Sequence, residues 1–139
     1  MNQSYAAQVQ RNKYLETTVR TAAPAQLLIM LYDGAIRFCR SAAEAIQAGN
    51  HQEAHRCILR AEDIILEFVV SLDKEADVAE GLVKLYDYMY HRLVEANVKK
   101  DTGILDEVTG FLVELKETWI QAAKLGSKPP AASTGAANG

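Results

Sequence analysis

MLYDGAIRFC, residues Met30–Cys39, decides how this chain folds. The stretch is mostly apolar, but Asp33 and Gly34 interrupt it. Both are poor helix formers, and Asp-Gly is a common turn signal. The segment is therefore either a turn between two short elements or one helix that carries both residues for a reason. Projection at ~100° per residue separates the two. Gln26, Asp33, Arg37, Arg40, Glu44 and Gln47 fall in one narrow polar stripe. Asp33 with Arg37, and Arg40 with Glu44, have i,i+4 spacing, each pair contributing ~0.3 kcal/mol. Gly34 falls on the opposite side, among Leu27, Met30, Leu31, Phe38 and Ala45. There its missing side chain lets a neighbouring helix approach closely, against a propensity cost of about 1 kcal/mol. The stretch reads as one helix.

The rest of the chain extends that reading. Its three prolines are Pro24, Pro129 and Pro130, so no proline breaks a helix between Ala25 and Lys128. Pro24 suits a first helical position, and Gly49 a stop after Ala48. Asn50 with Glu53 has capping-box spacing and opens a second helix to about Leu72; Asp77 with Glu80 repeats it and opens a third to about Lys99. Asp101 or Thr102 starts a fourth, which ends near Leu125–Gly126. No segment alternates as a strand does. Four long helices on short connections pack as antiparallel neighbours, so the fold class is all-α. The expected architecture is an up-and-down four-helix bundle with an additional N-terminal segment or short helix. Residues 21–126 form the bundle, 1–20 a flexible segment, and 127–139 (SKPPAASTGAANG from Ser127) a disordered tail.

The 139 residues suffice for one domain with a real core. A net charge of -3 and a pI near 5.6, without a dominant basic patch, argue against nucleic acid and against electrostatic membrane binding. The sequence has no apolar run of membrane-spanning length and no apolar signal core at its N-terminus, so a cytoplasmic protein without membrane insertion is expected. Cys39 and Cys57 fit reduced thiols in apolar surroundings.

Catalytic chemistry does not assemble. His51 and His55 in HQEAH are spaced i,i+4, but the motif is not HExxH and lacks an evident third ligand, so surface positions are expected. His91 reads as a flanking surface residue. Paired Glu-x-x-His motifs, a GxGxxG and a P-loop are all missing. A non-enzymatic protein without metal or cofactor is expected. Trp119, in phase with Val108, Leu112 and Leu115, reads as core.

Apolar surface is instead in excess. A bundle helix needs an apolar arc of about 100° or somewhat more, and the first helix carries roughly twice that, with Tyr32, Ile36, Cys39 and Ala43 on its flank. The second helix has a core face from Ala54 to Leu72 and a separate stripe of Leu59, Leu66 and Val70 beyond His55 and Glu62. On the third, Val83, Tyr90 and Val94 widen the apolar surface beyond one seam. Two readings stand side by side. Either the N-terminal segment covers these stripes as a fifth element, or they form a groove for amphipathic partner helices. Both hold if the segment covers the groove until a partner displaces it. A third reading makes the stripes a homodimer interface of a self-associating bundle, whereas a groove with its own cover predicts a monomer.

The residues also resemble the FliS family of flagellin-specific export chaperones. The resemblance rests on Tyr14 followed by Val19–Pro24, QLLIMLYDGAIRF (Gln26–Phe38), RAEDII (Arg60–Ile65) and SLD (Ser71–Asp73). It continues in LYDYMYHRLVEAN (Leu85–Asn97) and ELKETW (Glu114–Trp119), so that it spans Tyr14 to Trp119 in order. It implies a helical bundle in the cytoplasm of a flagellated bacterium. The implied client is the C-terminal segment of flagellin, disordered when free and helical when wrapped around the chaperone, kept from premature polymerisation and delivered to the export gate protein FlhA. An anti-sigma factor or another flagellar regulator is a further candidate partner. The groove would then be lined by Tyr32, Ile36, Leu59, Leu66, Val70, Tyr90 and Val94. Tyr14 aligns with the family's N-terminal tyrosine and is the candidate for groove covering and gate docking, with Leu15 and Val19 beside it and Tyr5 a rival for the gate role. Ala23 stands before Pro24 where the family often has a polar cap.

Overall fold

The computed structural model describes residues 24–125. Within them four helices follow one another: α1 (Pro24–Gln47), α2 (His51–Ser71), α3 (Ala79–Lys99) and α4 (Thr102–Lys124). The Asp33–Gly34 step lies inside α1, which runs through it without a break. α1 stops at Gly49, whose φ of 76° favours glycine. Asn50 caps α2, its Oδ1 accepting from the Glu53 N–H at 3.1 Å. Asp101 caps α4 in the same way, accepting from the N–H groups of Gly103 and Ile104. The third start differs from expectation. Val78 stands at the N-cap of α3 and offers no side-chain cap, and the preceding residues satisfy their own backbone in turns. The Ala76 N–H donates to Asp73 O, the Ala79 N–H to Ala76 O, and the Asp73 carboxylate accepts from the Glu75 N–H.

The helices close a ring, with α1 against α2 and α4, and α3 against α2 and α4. Connections of residues 48–50, 72–78 and 100–101 are too short for anything but antiparallel neighbours. The described chain is thus an all-α bundle. The boundaries expected at 20/21 and 126/127, and the expected N-terminal element, lie outside the described residues.

The interior is organised around an aromatic cluster. The Tyr32 ring stacks on Phe68 at 4.3 Å between centroids, and Phe68 meets Tyr86 at 5.3 Å. The two phenol oxygens share a hydrogen bond of 2.7 Å. Burial pushes both phenols above their ordinary pKa, so the bond is between neutral groups. Trp119 of α4 is buried as expected, and its indole stands close enough to Tyr32 to ease ionisation of the phenol. It forms no hydrogen bond of proper geometry there, and Nε1 has no partner among the described residues. Each helix contributes one aromatic ring to this part of the core.

Gly34 performs the role its position suggested. A Cβ built there would stand 3.3 Å from Cδ1 of Ile64, so α2 packs directly on the α1 backbone. Asp33 pairs across the opposite seam with Lys116 of α4 rather than along its own helix.

Two stability predictions follow from these contacts. Tyr32→Phe leaves the Tyr86 hydroxyl buried without its partner and should cost about 1–3 kcal/mol in urea unfolding. Adding Tyr86→Phe should recover much of that loss, since neither ring then carries an orphaned hydroxyl. Gly34→Val forces methyl groups against Ile64 and should cost about 1–3 kcal/mol by the same measurement.

Candidate partner-binding groove

The seam between α2 and α3 has a different surface from the other three. His55 Nδ1 lies 2.8 Å from Asn97 Nδ2, which fixes the register of the antiparallel pair. Each step forward in α2 then faces a step back in α3, so Leu59 lies level with Leu93 and next to Val94, Glu62 with Tyr90, and Val70 with Leu82 and next to Val83. On the outer side of that seam Leu59 is 41% exposed, Leu66 45%, Val70 77% and Val94 38%. Tyr90 and Val83 are partly buried and packed against the core, forming the floor. These residues make one apolar strip along two helices. Five of the seven groove residues expected from the sequence (Leu59, Leu66, Val70, Tyr90 and Val94) therefore come together.

Tyr32 and Ile36 do not join them. Tyr32 is wholly enclosed in the aromatic cluster. Ile36 is buried under a depression between α1 and α4, bordered by Asp33, Arg37, Arg40, Val113, Lys116 and Glu117. The physical reason is the packing of α1 on two neighbours at once. The centre of its wide apolar arc faces the bundle axis, which turns the supposed flank of Tyr32, Ile36 and Cys39 inward. Tyr5, Tyr14, Leu15 and Val19, expected to cover the groove or dock at an export gate, lie outside the described residues.

One residue of the strip was not expected. Glu62, which the sequence placed only as a polar divider between the core face and the separate stripe, is only 7% exposed. It makes no hydrogen bond among the described residues, and burial, with Asp63 beside it, raises its carboxyl pKa against a smaller opposing influence of His55. A signal for this exists in the sequence. Its four neighbours on the helix surface, Ile58, Leu59, Ile65 and Leu66, are all aliphatic.

Other candidate chemistry resolves into structure. No cluster of three or more His, Cys, Asp and Glu residues able to hold a metal occurs among the described residues. His55 is engaged with Asn97, and His91 lies exposed beside Asp87. Cys39 and Cys57 are free and buried, with burial pushing the Cys39 thiol up to about 12 and the Cys57 thiol above its ordinary value. Such thiols are poor nucleophiles at neutral pH. No helix among the described residues is long and apolar enough to cross a membrane.

The α3–α4 seam is polar. The Tyr88 hydroxyl donates to Glu107 Oε2 at 2.6 Å, and Arg92 Nε donates to Glu107 Oε1 at 2.8 Å. Arg92 also reaches Glu95, which pairs in turn with Lys99. The ring of Tyr88 meets Phe111 edge-on.

A family model described as "Flagellar protein FliS" matches residues 6–126. A flagellar secretion chaperone FliS of Bacillus subtilis is 38% identical over 109 residues, covering 78% of this chain and 82% of the relative. One from Salmonella typhimurium is 34% identical over 110 residues, covering 77% and 82%. The chaperone FliSB of Pseudomonas aeruginosa is 36% identical over 107 residues, covering 76% and 85%.

The polar seam yields a pH prediction. The Tyr88 hydroxyl first, and Arg92 second, hold the Glu107 carboxyl below the usual carboxylate range. A depressed folded pKa means stability that is present above the unfolded value of about 4.3 and lost as pH falls through the folded one. Glu107→Gln should therefore lower the thermal midpoint at pH 7. The gap from wild type should close as melts are repeated downward from about pH 4.

Proposed function

Because the chain belongs to the FliS family of flagellar secretion chaperones, we propose that it binds the C-terminal segment of flagellin in the groove between α2 and α3. The observation that carries this reading is the apolar strip of Leu59, Leu66, Val70, Tyr90 and Val94, left uncovered by the other described residues on a bundle whose core is already complete. Leu59 and Val70 lie about 16 Å apart along α2 at 1.5 Å per residue, a length suited to three turns of an amphipathic helix. Each Leu or Val covered by the client contributes ~1.5–3 kcal/mol. Ordering a disordered segment costs about 2–5 kcal/mol or more, so several anchors in a row are required.

The protein acts by binding, without a catalytic step. Held on α2 and α3 in the cytoplasm, the flagellin segment cannot pair with other subunits, and the complex is delivered to the export gate protein FlhA. The N-terminal residues Tyr14, Leu15 and Val19, outside the described residues, are the proposed cover of the groove before the client arrives, with Tyr14 or Tyr5 the proposed docking residue at the gate. An anti-sigma factor or other flagellar regulator would compete for the same strip.

Titration calorimetry with a flagellin C-terminal peptide, with helicity followed by circular dichroism, tests the reading. Saturable binding, a negative heat-capacity change and a gain of helix are expected. Absence of binding, with a dimer in sedimentation, would assign the strip to a second copy of the chain. Leu66→Asp should leave the helicity and thermal midpoint of the free protein almost unchanged, because the side chain is already half in water. It should weaken the peptide by about tenfold or more, since it places a charge under the client.

A further inference from the structure

Glu62 sets a condition on whatever fills the groove. The residue lies within the strip, between Leu59 and Leu66 along α2 and level with Tyr90 of α3. It is more than nine-tenths buried and has no hydrogen-bond partner among the described residues. The charged groups of its own helix do not satisfy it: Asp63 repels it, and the His55 ring is held by Asn97. Trp119 Nε1 is the one fully buried side-chain polar atom without a partner among the described residues, so the Glu62 oxygens still meet solvent in the free protein. A client helix seated on Leu59 and Leu66 would remove the last water from this group. Its cost then rises unless the client brings a donor.

We propose that Glu62 is the specificity-determining residue of the groove, accepting a hydrogen bond from an N–H donor side chain (amide, guanidinium or ammonium) carried on the otherwise apolar face of the client helix. The inference rests on the flagellin reading above and adds a requirement to it. Apolar anchors supply affinity for any amphipathic helix. The carboxyl rejects those that present only carbon at this position, because a site built around a polar group loses more from an unpaired partner than from a missing methylene.

Calorimetry of the flagellin C-terminal peptide against wild type, Glu62→Gln and Glu62→Leu tests the inference, alongside urea unfolding of each free protein. Glu62→Leu should be at least as stable as wild type and bind the peptide about tenfold more weakly or worse. Glu62→Gln, which keeps an acceptor oxygen of similar shape, should stay within about threefold of wild type. On the client side, changing each Asn, Gln, Arg and Lys of the peptide to alanine in turn should reveal one position that weakens binding to wild type but not to Glu62→Leu. If Glu62→Leu does not fold, the same peptide series against wild type and Glu62→Gln decides the matter, a series without any sensitive donor overturning the inference. Equal binding by wild type and a folded Glu62→Leu overturns the anchor while leaving the flagellin reading intact. Failure of wild type to bind the peptide overturns both.

Discussion

The hydrogen bond between Tyr32 and Tyr86, closed over the ring of Phe68, is the constraint on which the bundle's geometry depends. Helix pairs packed through aliphatic side chains can slide and rotate at modest cost, because dispersion and burial are not directional. A buried pair of hydroxyls cannot, since separating them strands two polar groups away from water. The bond ties α1 to α3, which are not ring neighbours, and Phe68 of α2 fills the space between them. Trp119 of α4 closes the remaining side. The rotation of all four helices about their axes is thereby set toward the end of the bundle that holds the connection of residues 72–78, and with it the identity of every outward face.

That setting distributes different chemistry to the four seams. Between α1 and α2, Gly34 brings the backbones together under Ile64. Between α1 and α4, Asp33 and Lys116 pair at the rim. The α3–α4 seam carries the linked Tyr88, Arg92, Glu95 and Glu107 groups. The α2–α3 seam has a single side-chain hydrogen bond among the described residues, His55 to Asn97 near one end. Apart from Glu62, its remaining length is lined with apolar side chains, and there the surface offers a helix something to bury.

Much of this was legible in the sequence, and the failures have identifiable causes. Asn50 and Asp101 were readable as caps because each needs only its own side chain and the next three residues. Asp77 was misleading because the turns at Asp73 and Ala76 compete for the same backbone donors, a balance that spacing does not express. Leu59, Leu66 and Val70 were readable as a separate stripe because polar residues divide them from the core face. Tyr32 and Ile36 were assigned to the wrong surface because a helical projection gives relative angles, not the direction of the bundle axis. An apolar arc of twice the usual width leaves that direction open, and packing on two neighbours decides it. Glu62 was missed through its residue type, since charge was weighed more heavily than its four aliphatic neighbours.

The groove joins two requirements that pull in opposite directions. On the proposed function, a client that must be released for export cannot be held by an extended core-like interface, yet a disordered segment needs enough apolar contact to offset its ordering. Half-exposed side chains such as Leu59 and Leu66 meet both conditions. Part of their surface is already buried in the free protein, so a client gains less from each than from a fully solvated leucine, and affinity accumulates in small increments along the strip. Small increments discriminate poorly between one amphipathic helix and another. On the inference proposed for Glu62, its carboxyl acts in the other direction, contributing little to the right client and imposing a penalty on the wrong one. Selectivity can then come from a single position while the total binding energy stays moderate.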